Sequence, residues 1–138
     1  MKSILTFGLI KPNATKENLD SAILADILNA GFKLVALKRG VMTKHAAETF
    51  YAEHKEKPFF GELIEFMTSG EVVGYVIEAE NAVLKYRGLM GATNPQEAES
   101  GTLRAKYAQT KSENSVHGSD SDESANREIE LFKTKLFV

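Results

Sequence analysis

The chain predicts an α+β sandwich, a four-stranded antiparallel sheet covered by helices, with an inserted helical pair and a long loop before the last strand. Three observations carry that expectation. Short apolar runs of β character alternate with stretches whose apolar residues recur at helical spacing. Two helical patterns follow one another between residues 43 and 70 with no strand between them. Residues 91–115 then hold only Leu103 and Tyr107 as sizeable anchors, as in a long loop that is either functional or disordered.

Residues 3–10 form an apolar run ended by Lys11-Pro12-Asn13, as expected of a central strand buried on both faces. Over residues 19–30, Leu19, Ile23, Leu24, Ile27 and Leu28 make one helix face, with Asn18 or Asp20 to cap the start and Gly31 to close the end. Residues 32–42 return to strand character. The helical pair carries Ala47, Phe50, Tyr51 and His54 on its first member, after Thr43. Its second member begins near Pro58 and carries Phe59, Leu63, Ile64 and Met67. Residues 71–79 are a third strand and residues 81–89 a helix with Arg87 near its end. A short strand fits only near Val116-His117, and Asp120 with Glu123 three residues later reads as a helix start. The final helix shows Ile129 and Phe132 on one face. Without the helical pair this order is the split βαβ arrangement of a ferredoxin-like sandwich, with helices on one sheet face and loops at one edge.

The bulk properties narrow the function. A length of 138 residues makes a single domain, 1–138, the expectation. Seventeen Lys+Arg against 19 Asp+Glu argue against a general nucleic-acid binder. With no cysteine there is no disulfide or thiolate chemistry. The N-terminal run meets a charge too soon, at Lys11, for a signal peptide, and no apolar run has membrane-spanning length. A cytoplasmic protein without a membrane partner is expected.

The chemistry gathers around Asn114-Ser115-Val116-His117-Gly118-Ser119-Asp120-Ser121. A histidine among small polar residues is a turn histidine or a nucleophile, since imidazole is largely neutral and nucleophilic near neutral pH. There is no G-x-x-x-x-G-K-[ST] loop and no G-x-G-x-x-G, and His45, His54 and His117 make no zinc pattern. Lys11, Arg87 and Arg104, with Thr93, Thr102 and Asn114 nearby, have the character of phosphate ligands, each with the plainer alternative of a solvated charge. Phe59-Phe60 offers a face for a base or half of a core pair. Tyr51 and His54 share a helix face, for a ligand or as an amphipathic edge. Glu128 is a candidate partner for the second nitrogen of His117.

Taken together the blocks resemble a bacterial nucleoside diphosphate kinase over nearly the whole length. The likeness runs through Ile10-Lys11-Pro12-Asn13-Ala14, Tyr51-Ala52-Glu53-His54, Pro58-Phe59-Phe60-Gly61-Glu62-Leu63 and Met67-Thr68-Ser69-Gly70. It continues in Asn81-Ala82-Val83, Arg87, Met90-Gly91-Ala92-Thr93-Asn94-Pro95, Gly101-Thr102-Leu103-Arg104, the segment around His117, and Arg127-Glu128-Ile129. The resemblance implies ping-pong transfer of a γ-phosphoryl group from a nucleoside triphosphate, typically ATP, to a nucleoside diphosphate. It implies His117 as nucleophile, phosphorylated at Nδ1, with Tyr51 and Glu128 flanking it and Ser119 and Asp120 shaping its turn. Lys11, Arg87 and Arg104 would hold phosphates with Thr93 and His54 assisting, Lys11 and Asn114 would meet the sugar hydroxyl, and Phe59 would stack the base. Mg²⁺ would arrive on the nucleotide phosphates with few protein ligands. A homo-oligomer is implied, a tetramer in preference to a hexamer.

Four positions depart from the family pattern. Asn13 stands where aspartate usually follows Lys-Pro, Glu71 where proline follows Ser-Gly, Ser100 where proline precedes Gly-Thr, and Lys111 where an apolar residue often faces the base. None removes a catalytic group; they bear on base affinity, loop rigidity and assembly. A nucleotide- or nucleic-acid-binding module on the same fold is the competing reading. It would be favoured by loss of the histidine, an arginine or the lysine, and none is lost.

Overall fold

The computed structural model describes residues 4–109, 114–134 and 136, so Lys111 lies outside the described residues. Four strands, β1 (Leu5–Ile10), β2 (Lys33–Gly40), β3 (Val72–Glu78) and β4 (Val116–Gly118), make one antiparallel sheet in the order β2-β3-β1-β4. The helices are α1 (Pro12–Lys16), α2 (Asp20–Asn29), α3 (Lys44–Phe50), α4 (Phe60–Met67), α5 (Ala82–Met90), α6 (Leu103–Tyr107) and α7 (Asp122–Thr134). A 3₁₀ turn, Ala52–His54, joins α3 toward α4. This is the ferredoxin-like α+β sandwich, with α3 and α4 as the inserted pair.

Period-two alternation along the central strands divides the core. Phe7 and Leu9 of β1 and Val72 and Val76 of β3 pack with Ala47, Phe50, Ile64, Met67, Ile129 and Phe132 from α3, α4 and α7. Ile10, Val73, Tyr75 and Ile77 point the other way, to Ile23, Ile27, Tyr86, Met90 and Leu103 from α2, α5 and α6. Helices therefore cover both faces, where the sequence led us to expect one. The reason is the central position of β1, whose two-sided apolar run needs a layer on each side.

Two helices were not expected. α1 and α6 are five residues each, too short to display an amphipathic period, and α6 interrupts the long loop. α1 starts at a proline preset for a first helical turn, and α6 is capped by Thr102, whose hydroxyl accepts from the Ala105 amide at 3.4 Å. α4 begins at Phe60, so Pro58 and Phe59 precede it. The caps also differ. Leu19, with no side-chain cap bond, precedes α2, while Asp20 is paired to Arg39 at 2.8 Å. Gly31 does close that helix, with a φ of +100°. Ser121, not Asp120, caps α7, its Oγ accepting from the Ser124 amide at 3.0 Å. Asp120 instead accepts from the Ser124 hydroxyl at 2.7 Å. Both residues suit a cap by type, so only the chain path chooses between them.

One close approach fixes the height of β4. Gly8 and Gly118 are cross-strand partners. A Cβ on Gly8 would stand 2.4 Å from the Tyr75 ring, and one on Gly118 would stand 2.8 Å from the Tyr86 ring. The two fully buried phenols are hydrogen-bonded to each other beneath this pair of glycines. Gly8→Ala is expected to lower unfolding stability by about 1–3 kcal/mol through overpacking, read as a drop in the urea midpoint.

Candidate active site

The site is built on the pleat of β4. Val116 goes into the α5-side core, and His117, one residue on, emerges on the opposite face, against α3 and α7. There its Nε2 lies 2.8 Å from Glu128 Oε1. The same oxygen accepts from Ser119 Oγ at 2.9 Å, and Glu128 is buried on α7. A carboxylate accepts only, so His117 donates from Nε2 and keeps its lone pair on Nδ1. The Phe50 ring meets the imidazole edge-on at 5.1 Å between centroids, and Tyr51 does so at 6.1 Å.

His117 opens into a cleft whose walls include Tyr51, His54, Arg87, Thr93, Arg104 and Glu128, six of the residues singled out in the sequence. Arg104, on α6, donates to the Gly91 carbonyl at 3.1 Å and the Val116 carbonyl at 3.0 Å. Burial lowers it from its ordinary value and the Arg87 charge adds to this. Its Nε, with His54 Nδ1 and the Tyr51 hydroxyl, is buried without a hydrogen-bond partner among the described residues. Burial, and then the Glu128 charge, push the Tyr51 phenol far above its ordinary range, so it stays a donor. Asp120 is held below the usual carboxylate range, first by the Ser124 hydroxyl and then by Arg87 and His117.

The other four expected residues stand behind or beside the cleft. Lys11 and Asn114 form a buried pair, Nζ to Oδ1 at 2.9 Å. Ser119 is fully buried and reaches His117 only through Glu128. Phe59 is 47% exposed, its ring 6.1 Å from that of His54 and within 5.6 Å of Lys57 Nζ. Three further residues, Phe50, Glu53 and Arg127, belong to the site without a role expected from sequence. Phe50 and Glu53 help line the cleft. Arg127 donates to the Phe50 carbonyl at 2.8 Å and lies 3.7 Å from Glu53, tying α7 to the end of α3. Its only signal in the sequence was adjacency to Glu128. Among the described residues no group of three or more His, Cys, Asp or Glu side chains is arranged to hold a metal ion, and no helix is long and apolar enough to cross a membrane.

A sequence profile described as nucleoside diphosphate kinase matches residues 5–136. The nucleoside diphosphate kinase of Bradyrhizobium diazoefficiens is 59% identical over 127 residues, covering 92% of this chain and 91% of that protein. That of Methylobacterium radiotolerans is 57% identical over the same span and coverage. The solved Aquifex aeolicus nucleoside diphosphate kinase superposes with a TM-score of 0.93 at 37% identity, over 98% of this chain and 99% of that one. The Halobacterium salinarum enzyme, solved in complex with CDP, gives 0.89 at 38% identity over 93% of this chain and 86% of that one. Fold and relatives together define a nucleotide-directed phosphotransferase. The chain belongs to the nucleoside diphosphate kinase family, and its activity is reversible γ-phosphoryl transfer from a nucleoside triphosphate to a nucleoside diphosphate, by a ping-pong route through a phosphohistidine.

Lys11 gives the site a pH dependence. Burial, with the Arg104 charge second, lowers its ammonium to about 7. It is protonated below that value; as pH rises through 7 the folded chain loses this cation while the unfolded chain keeps it. Stability therefore rises with pH from about 7 toward the ordinary lysine value, while a phosphate bound near this cation is expected to be held less tightly. We expect kcat/KM, which reports the free enzyme, to decline as pH rises above about 7. Lys11→Arg should flatten that limb, because a guanidinium stays charged. Steady-state profiles between pH 6 and 9 check both.

Proposed function

We propose that His117 is the residue phosphorylated, at Nδ1. The observation that carries this is the Nε2 contact to Glu128, which leaves Nδ1 as the nitrogen with a lone pair beside two arginines. In the first half-reaction Nδ1 forms a bond to the γ-phosphorus, the bond to the β–γ bridging oxygen breaks, and the nucleoside diphosphate leaves with that oxygen. In the second, a terminal oxygen of the acceptor diphosphate bonds to the phosphorus and the N–P bond breaks, returning the neutral imidazole. Glu128 orients the ring and stabilises the charge that develops on it, and Ser119 orients Glu128.

Arg87 and Arg104 hold the transferred group with Thr93 and His54, and Tyr51 donates its hydroxyl at the cleft wall. Lys11, behind Arg104, adds charge, and with Asn114 it meets the sugar hydroxyl. Phe59 stacks the base from the exposed rim, a contact every base satisfies; the CDP held by the Halobacterium salinarum relative supports nucleotides as the ligands. Mg²⁺ enters with the nucleotide and neutralises phosphate charge. The donor set fits such an ion: of the cleft carboxylates, Glu128 is engaged by His117 and Ser119, Asp120 accepts from the Ser124 hydroxyl and Glu53 faces Arg127, so the phosphates would be the main ligands.

Incubation with Mg²⁺ and γ-labelled ATP, followed by a chase with unlabelled GDP, tests this. The expected label is acid-labile and base-stable and moves to GDP. His117→Ala should remove it and lower turnover by at least about 10⁴-fold while the far-UV spectrum holds. Activity near wild type in that variant would sink the assignment.

We also propose that residues 1–138 form one kinase domain acting in the cytoplasm as a homo-oligomer, a tetramer in preference to a hexamer. Support for association comes from the sheet edge: β2 pairs only with β3 among the described residues, and Val35, Leu37 and Val41 are each about half exposed along it. Light scattering coupled to chromatography should give four chains for wild type and fewer for Leu37→Lys. A wild-type monomer would contradict the assembly.

A further inference from the structure

Two residues before His117 the backbone folds back on itself. Ser115 is fully buried with a φ of +73°, and across it the Val116 amide donates to the Asn114 carbonyl at 2.9 Å. This is a γ-turn of the rare positive-φ kind, and a residue bearing a side chain keeps it only where its surroundings over-determine it. Its surroundings come from two distant segments. The Ser115 carbonyl accepts from the Lys11 amide at 2.8 Å. Asn13 Nδ2 donates to Ser115 Oγ at 2.9 Å, and Ser115 Oγ donates to the Tyr107 carbonyl at 2.8 Å. Tyr107 ends α6, the helix of Arg104, and its own hydroxyl donates to Asp26 of α2 at 2.7 Å.

The donor count makes residues 13 and 115 specific for one another. A serine hydroxyl has one proton, here given to the Tyr107 carbonyl, so its remaining capacity is to accept. An asparagine amide supplies the donor and a carboxylate has none. Asn13 is also the position where the family usually carries aspartate. We infer that Asn13 and Ser115 are a matched pair of positioning residues, clamping the turn before His117 and so setting Lys11 and the Arg104 helix against the nucleophile. Neither side chain lines the cleft; the pair acts through those three residues, and the inference rests on the roles proposed for them above.

The test is a kinetic double-mutant cycle of Asn13→Asp and Ser115→Ala in the full chain. It reads kcat and KM for phosphoryl exchange, the rate of His117 labelling, and the unfolding temperature. With Ser115 present, Asn13→Asp draws the serine proton away from the Tyr107 carbonyl, and kcat is expected to fall about five- to tenfold with KM little changed. With Ser115→Ala already made there is no proton to compete for, and adding Asn13→Asp is expected to cost less than about twofold. Ser115→Gly, which accepts a positive φ, supplies a second background that closes the cycle if the alanine variant does not fold. Equal costs of Asn13→Asp in both backgrounds would overturn the pairing. So would a lowered unfolding temperature with kcat and KM of the folded enzyme at wild-type values. A wild-type chain that takes no label at His117 would bring down the site assignment, and the inference with it.

Discussion

Three cross-strand pairs hold β4 on the sheet, Gly8 with Gly118, Leu9 with His117 and Ile10 with Val116, and the cleft hangs from them. A three-residue edge strand has little stability of its own. It is clamped just outside both ends, by the Lys11 amide on the Ser115 carbonyl and by the Ser119 amide on the Phe7 carbonyl at 3.1 Å. From below, the Tyr75 and Tyr86 rings fill the notch that the two paired glycines leave. Held this way, the pleat directs one imidazole toward Glu128 and leaves its other nitrogen to the cleft. A shift by one residue would send His117 into the α5-side core and Val116 into the site.

The electrostatics pull against stability. Lys11, Arg87 and Arg104 are like charges brought close enough that Arg104 lowers Lys11 and Arg87 lowers Arg104, on top of the burial that dominates both shifts. The protein offsets this only in part, by giving Arg104 two backbone carbonyls and Lys11 one amide oxygen. Neutral acceptors take up some of the donors, leaving Arg104 Nε without a partner among the described residues, and they leave the charge uncompensated. A carboxylate in their place would stabilise the folded chain more and compete with the phosphates it must bind. Glu128, the buried carboxylate of the cleft, is instead turned to Nε2 of His117, where it orients the ring and is itself engaged by a donor.

What the sequence made legible follows from range. The two-sided run of β1, the helical period of α2 and the apolar pair α3 and α4 are local patterns, and each is where its residues put it. α1 and α6 escaped because five residues cannot display a period, and the loop composition around α6 hides the single anchor, Leu103, that buries it. Most residues of the candidate cleft could be named in advance because the resemblance supplied them as a set; composition and spacing alone left each cation with a plainer reading. The contacts that hold them could not be. Asn13 with Ser115, Lys11 with Asn114, Ser119 with Phe7 and Arg127 with Phe50 join residues between 77 and 112 positions apart, more than half of the chain in every case. One sequence carries no mark of which distant pairs meet.

The departures from the family pattern are graded by that same geometry. Glu71 is exposed, its side chain reaching Arg39 at 3.2 Å, a surface pair of small energetic weight. What its position contributes to the fold is its backbone carbonyl, which accepts from Thr15 Oγ1 at 2.6 Å, a bond any residue there can make. Ser100 is exposed ahead of Thr102, and the loop takes its shape from the Thr102 hydroxyl, donating to the Glu99 carbonyl at 2.7 Å. Asn13 differs in kind. It is buried, and its amide meets a hydroxyl whose one proton is already given away. At an exposed position water can supply whichever donor or acceptor a substitution removes. In a buried pair it cannot, so the identity of residue 13 is bound to that of residue 115 by the count of protons between them.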